Sequence, residues 1–138
     1  MLRTMNAENW DALAGLFGGS PGPEEVPTGA ADNILLAWPP MIECLRRGMG
    51  ALQNRKVLDF GCGAGHFTRK LGLLGAHVVG VDPSPAMIEH ARTRANEKVE
   101  FRCGNLEAVR PDERFDAMTA LMVFPFIEDL PALLRGLD

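Results

Sequence analysis

The sequence predicts an α/β fold built around a parallel sheet. Two observations carry that reading. Short apolar segments containing β-branched residues alternate along the chain with segments of helical period. The first clear strand also runs directly into three glycines, VLDFGCGAG at residues 57–65, and a helical pattern follows. Parallel strands joined through helices are connected by right-handed crossovers. The 138 residues suit one domain with one core. Residues 1–55 are expected to supply N-terminal helices and a Gly/Pro loop, and residues 56–138 the sheet-bearing core.

The elements are predicted in order as follows. Residues 5–17, MNAENWDALAGLF, place Trp10, Leu13, Leu16 and Phe17 at helical spacing. GGSPGPEEVPTG, residues 18–29, is a Gly/Pro loop, either a lid or a connector. Residues 40–52 form a second helix, with Met41, Leu45, Met49 and Leu52 on one side and Gly48 and Gly50 weakening its end. KVLDF, 56–60, is a buried strand. A helix runs from Gly65 to Leu74 and stops at Gly75. AHVVGVD, 76–82, is the second strand. Ser84 then caps a helix over 85–96 whose first turn holds Pro85. KVEFRC, 98–103, alternates and reads as a strand nearer an edge. FDAMTALMVF, 115–124, is the fourth strand, and IEDLPALLRGL carries Leu130, Leu133, Leu134 and Leu137 as a closing helix.

Composition narrows the function. A net charge of −4, with no basic cluster larger than Arg46-Arg47, argues against nucleic acid as a partner. Three widely spaced cysteines, Cys44, Cys62 and Cys103, form no zinc pattern and fit a reducing cytoplasm. No apolar run approaches the roughly 20 residues needed to span a bilayer, and the N-terminus shows no signal-peptide pattern.

The glycines then suggest a binding site. In a strand–glycine–helix turn, one glycine permits the turn, one removes a Cβ where a ligand lies, and one lets helix and strand pack closely. Dinucleotides and S-adenosylmethionine both use this device. Both also want an acidic residue ending the second strand, about 20 residues on, to accept from ribose hydroxyls. Asp82 stands there. The dinucleotide fingerprint is GxGxxG, whereas Gly61, Gly63 and Gly65 give GxGxG, with His66 following.

Taken together, VLDFGCGAG, GVDPSPAMIEHAR, FRCGNLEAV and FDAMTALMVFPFIEDLPALL resemble a class I S-adenosylmethionine-dependent methyltransferase. The resemblance spans residues 56–137, and NAENWDALAGLF is similar to that family's leading helix. It implies a Rossmann-like three-layer sandwich and the cofactor S-adenosyl-L-methionine, with S-adenosyl-L-homocysteine as product. It also implies roles at matching positions. Gly61, Cys62, Gly63 and Gly65 would underlie the methionine part, and Asp59 would help hold its amino group. Asp82 would bind the ribose hydroxyls. Pro83 and Met87 would flank the adenine, although Met87 could equally be core. Asn105, where the family usually has an acidic residue, would accept from the adenine amine more weakly than a carboxylate does. Leu106 would offer its backbone N–H to a ring nitrogen.

The donor is already activated, so catalysis asks mainly for in-line positioning. No catalytic side chain and no metal ligand are assigned. His66 reads as a helix-start residue, His77 and His90 as structural or solvated, and Cys62 as a small loop residue. Trp10 and Trp38 are either core anchors or part of a lid. The apolar MVFPFI, 122–127, offers an apolar pocket for a small-molecule acceptor or no acceptor site at all. The family sheet has order 3-2-1-4-5-7-6, of which this sequence supplies 3-2-1-4. The fourth strand would then be an edge inviting a homodimer, a partner chain or the remainder of a longer gene. The leading expectation is a cytoplasmic methyltransferase acting on a small molecule. The alternatives are a catalytically incomplete cofactor-binding module and, more distantly, a nicotinamide-dependent oxidoreductase.

Overall fold

The structure is a computed structural model, which describes residues 8, 11, 36–121 and 129–136. The Gly/Pro loop at 18–29, most of the leading helix and MVFPFI lie outside those residues. Glu8 and Asp11, from the expected leading helix, are both helical.

The elements are α1 (Trp38–Met49), β1 (Lys56–Phe60), α2 (His66–Leu73), β2 (His77–Asp82), α3 (Pro85–Arg92), β3 (Val99–Cys103), a 3-10 turn (Leu106–Ala108), β4 (Ala117–Thr119) and α4 (Leu130–Arg135). The strands are parallel and ordered β3-β2-β1-β4, the expected 3-2-1-4. Helix α1 begins earlier than expected because Pro39 and Pro40 suit a first helical turn. It stops at Gly50, whose φ of 78° turns its N–H back to the Arg46 carbonyl. Leu52 therefore enters the core from the connection after the helix, still only 3% exposed.

The core forms two layers about the sheet. On one face, Ile42 and Leu45 of α1 and Phe67 and Leu71 of α2 pack on Val57 and Val78. Trp38 joins them, its ring centroid 5.4 Å from that of Phe67, so it is a core anchor. Ile88 and Ala91 of α3 cover Val99 and Phe101 on the same face. On the other face, Leu58, Phe60, Val79 and Val81 meet Leu106, Val109, Phe115 and Met118. Burial on both faces explains why β1 and β2 read as unbroken apolar runs. Strand β3 alternates, Val99 and Phe101 buried and Glu100 exposed, as an edge strand should.

Two further expected lengths need correction. The helix expected over 85–96 ends at Arg92, because the Thr93 hydroxyl donates to the His90 carbonyl and caps the last turn. The fourth strand, expected over 115–124, spans Ala117–Thr119, and Ala120 and Leu121 have left it. Its pairing with β1 runs from Val57 beside Ala117 to Asp59 beside Thr119, extended at the start by the Asp116 N–H donating to the Lys56 carbonyl at 2.7 Å.

The loop under the second face is fixed electrostatically. Glu113, 5% exposed in its side chain, accepts from Arg102 of β3 at 2.6 Å, Lys56 of β1 at 3.1 Å and Arg110 at 3.1 Å. These cations hold its carboxyl well below the usual range.

Candidate functional site

The C-terminal ends of β1, β2 and β3 stand in register, Phe60 beside Val81 and Asp82 beside Cys103. This is the edge at which α/β sheets bind ligands. The glycine loop leaves β1 there. The N–H groups of Gly61 and Cys62 both donate to the Val81 carbonyl, at 2.8 and 3.0 Å, and dock the loop on β2. Gly63 has φ of 54°, and a Cβ at that position would meet no atom of the described residues within 4 Å, so among them open space lies beside it. Gly65 has φ of 78° and caps α2, and a Cβ there would overlap the Phe101 ring. The second glycine thus faces a gap and the third brings α2 onto β3.

Asp82 ends β2 and is 9% exposed. Its Oδ2 accepts from the Gly63 N–H and its Oδ1 from the Ser84 N–H, both at 2.9 Å. Burial raises its pKa, the two amides lower it, and nearby Asp11 adds a smaller rise. A carboxylate offers about four lone-pair sites, so each oxygen retains acceptor capacity beside the open space at Gly63. This set of donors and acceptors fits a ribose diol next to a loop of bare backbone.

Asp59 lies deeper, 2% exposed. The Thr68 hydroxyl donates to its Oδ2 at 2.6 Å and the Thr119 hydroxyl to its Oδ1 at 2.8 Å. Burial pushes its pKa up to about 6, against the lowering effect of both hydroxyls. Its carboxylate is thus bonded within the protein, between α2 and β4.

The other expected residues are placed as follows. Cys62 turns its side chain into the cluster of Ile88, Ala91 and Phe101, and burial raises its thiol pKa well above normal. Its Sγ also donates to the Gly63 carbonyl at 3.6 Å, within the glycine loop. Pro83 is half-buried beside Asp82. Met87 is 3% exposed and packs with Ala64, joining α3 to the glycine loop. Gly104, φ 138°, donates its N–H to the Asp82 carbonyl and carries the chain past the strand ends. Asn105 is exposed next to it, its N–H held by Glu107 at 2.9 Å, and Leu106 is half-buried on the second face of the sheet.

Sequence reasoning missed several participants. Thr68 and Thr119 escaped notice because their meeting with Asp59 is made by folding. The one available signal was Thr119, a hydroxyl within an apolar run and opposite Asp59 in the ladder. Arg69 donates to the Ala64 carbonyl and contacts His66 Nδ1, both at 2.9 Å, and so braces the loop. Asp11, more than 70 positions from its partners Ser84 and Ala86, could not be placed from spacing. Among the described residues no group of three or more His, Cys, Asp or Glu side chains could hold a metal ion.

Comparison with known proteins agrees with this geometry. A family profile described as a methyltransferase domain matches residues 57–137. The chain belongs to that methyltransferase family. The ubiquinone biosynthesis O-methyltransferase of Rhodopseudomonas palustris strain BisB5 is 36% identical over 91 residues, covering 64% of this chain and 36% of that enzyme. Among solved structures, the DhpI complex with S-adenosylhomocysteine superimposes with a TM-score of 0.71 at 26% identity, covering 95% of this chain and 59% of that one. An S-adenosylmethionine-dependent methyltransferase from Mesorhizobium loti gives a TM-score of 0.59 at 26% identity, covering 69% and 45%. This methyltransferase domain therefore spans little more than a third of the length of the curated relatives it matches. The matched span runs from Val57 in β1 through α4, and with it every expected site residue.

Proposed function

We propose that the chain binds S-adenosylmethionine at the ends of β1, β2 and β3 and supplies the cofactor-holding part of a small-molecule methyltransferase. The observation that carries this is the pairing of Asp82, bonded to Gly63 N–H, with the open space at Gly63. Asp82 would hold the ribose hydroxyls. Gly61, Cys62, Gly63 and Gly65 would pass beneath the methionine part with backbone alone. Pro83, Met87, Asn105 and Leu106 would border the adenine. Asp59 would act at one remove, by fixing the loop through Thr68 and Thr119. When bound, the sulfonium supplies an activated methyl group, which leaves with sulfur keeping the bonding electron pair. What falls to this chain is to bind, orient and shield.

The acceptor is read as a small molecule with a hydroxyl group, in line with the O-methyltransferase relatives. β4 ends the sheet among the described residues, and its outer edge suits a second copy or a partner chain that completes the acceptor side. Cys44, Cys62 and Cys103 are free thiols, which suits the cytoplasm. No helix among the described residues is long and apolar enough to cross a membrane.

The test is transfer of a labelled methyl group from S-adenosylmethionine to a panel of hydroxyl-bearing small molecules. Labelled product that disappears in Asp82→Ala supports the reading. Firm cofactor binding with no transfer to any acceptor would favour the incomplete module. Absence of both would refute the cofactor assignment.

A further inference from the structure

Asp11 stands apart from every role so far assigned. It is a helical residue more than 70 positions before Ser84, yet its Oδ1 accepts the Ser84 hydroxyl and, at 3.1 Å, the Ala86 N–H. Ser84 is fully buried. Its hydroxyl also accepts the Met87 N–H at 3.1 Å, capping α3, and its own N–H holds Asp82 Oδ1 at 2.9 Å. One serine thus joins three carriers of the site: Asp11 from the N-terminal segment, Asp82 at the end of β2, and the first turn of α3 with Met87.

A serine hydroxyl rotates freely and has one proton to give. If it gives that proton to Asp11, its lone pairs are left for the Met87 amide. Without Asp11, the proton would turn toward some other acceptor, and the Ala86 N–H would lose its partner. An acceptor at the start of α3 also meets the positive end of the helix dipole, which offsets the proximity of two carboxylates.

We propose that Asp11 is a positioning residue of the cofactor site. From the N-terminal segment it locks the Ser84 turn, and through Ser84 it fixes the Asp82 carboxylate toward the ribose and Met87 toward the adenine. This rests on the cofactor reading above. It adds that the N-terminal segment takes part in ribose recognition, as an acceptor for Ser84 and Ala86.

The test compares the full chain with Asp11→Ala and Asp11→Asn, titrated with S-adenosylhomocysteine and with its 2′-deoxy analogue. The wild-type chain should prefer the ribose form. Asp11→Ala should lose about tenfold in affinity for S-adenosylhomocysteine and less for the deoxy analogue, so the preference shrinks. Asp11→Asn keeps an oxygen that can accept both bonds, and should restore most of the affinity and the preference. The ratio of two affinities in one variant does not depend on how much of the sample is folded. Equal losses for both ligands, an unchanged preference, or an Asn variant no better than Ala would each overturn the positioning role. A folded wild-type chain that binds neither ligand would instead refute the cofactor reading itself.

Discussion

Asp59 gives both carboxylate oxygens to side-chain hydroxyls of α2 and β4, whereas Asp82 gives its oxygens to two backbone amides beside the open space at Gly63. The difference has a measurable consequence. The pKa of Asp59 in the folded chain, about 6, lies above its ordinary value of 3.8. Between those pH values the folded state holds a proton that the unfolded state has lost. The Asp59 contribution is therefore fully present below its unfolded pKa and falls as pH rises through the folded one. Asp59→Asn removes this titration. We expect the stability of the variant relative to wild type to rise by about 2 kcal/mol between pH 4.5 and 7.5. Urea denaturation at the two pH values measures it, and a pH-independent difference would show that Asp59 is not protonated in this way. At this scale the sequence was legible where spacing alone decides. Asp82 follows the glycine loop at a fixed interval, but the threonines around Asp59 come from α2 and β4, and only folding brings them there.

Among the elements, the glycine loop separates binding from packing. Gly63 and Gly65 both have positive φ, but only Gly65 lies against Phe101. Alanine at 65 should therefore cost about 2–4 kcal/mol, combining the left-handed backbone penalty with overpacking. Alanine at 63 should cost about 1–2 kcal/mol while sharply weakening S-adenosylhomocysteine binding, because its methyl would fill the open side. Paired urea and calorimetric measurements on both variants check this, and equal stability losses would contradict it. The strands and helices were readable from apolar periodicity and from proline and glycine positions. The length of β4 was not. Ala120 and Leu121 read as part of a buried strand, but they lie outside β4, whose pairing with β1 stops at Asp59.

At the scale of the whole molecule, Glu113 ties the loop under the sheet to β1 and β3. Nothing in the sequence announces this, since Lys56, Arg102 and Glu113 are polar residues with no shared motif. Lys56 and Arg110 are exposed enough for solvent to screen them, so the weight falls on Arg102, 14% exposed. Arg102 also keeps Glu100 as a partner at 2.8 Å. Glu113→Ala should thus cost roughly 2 kcal/mol, below the full penalty for breaking a buried pair. With the pKa of Glu113 lowered by its partners, that contribution is present above the ordinary Glu range and is lost as pH falls through the lowered one. Chemical denaturation of the variant at neutral pH checks the magnitude. The same scale holds the central claim, that a sheet of four strands ends in a working cofactor site. Calorimetric titration of the full chain with S-adenosylhomocysteine, with NAD and the Asp82→Ala variant as controls, tests it most directly. Micromolar binding that Asp82→Ala weakens at least tenfold, with none for NAD, is the expected result. A folded chain that ignores S-adenosylhomocysteine, or binds it equally well without Asp82, would contradict it.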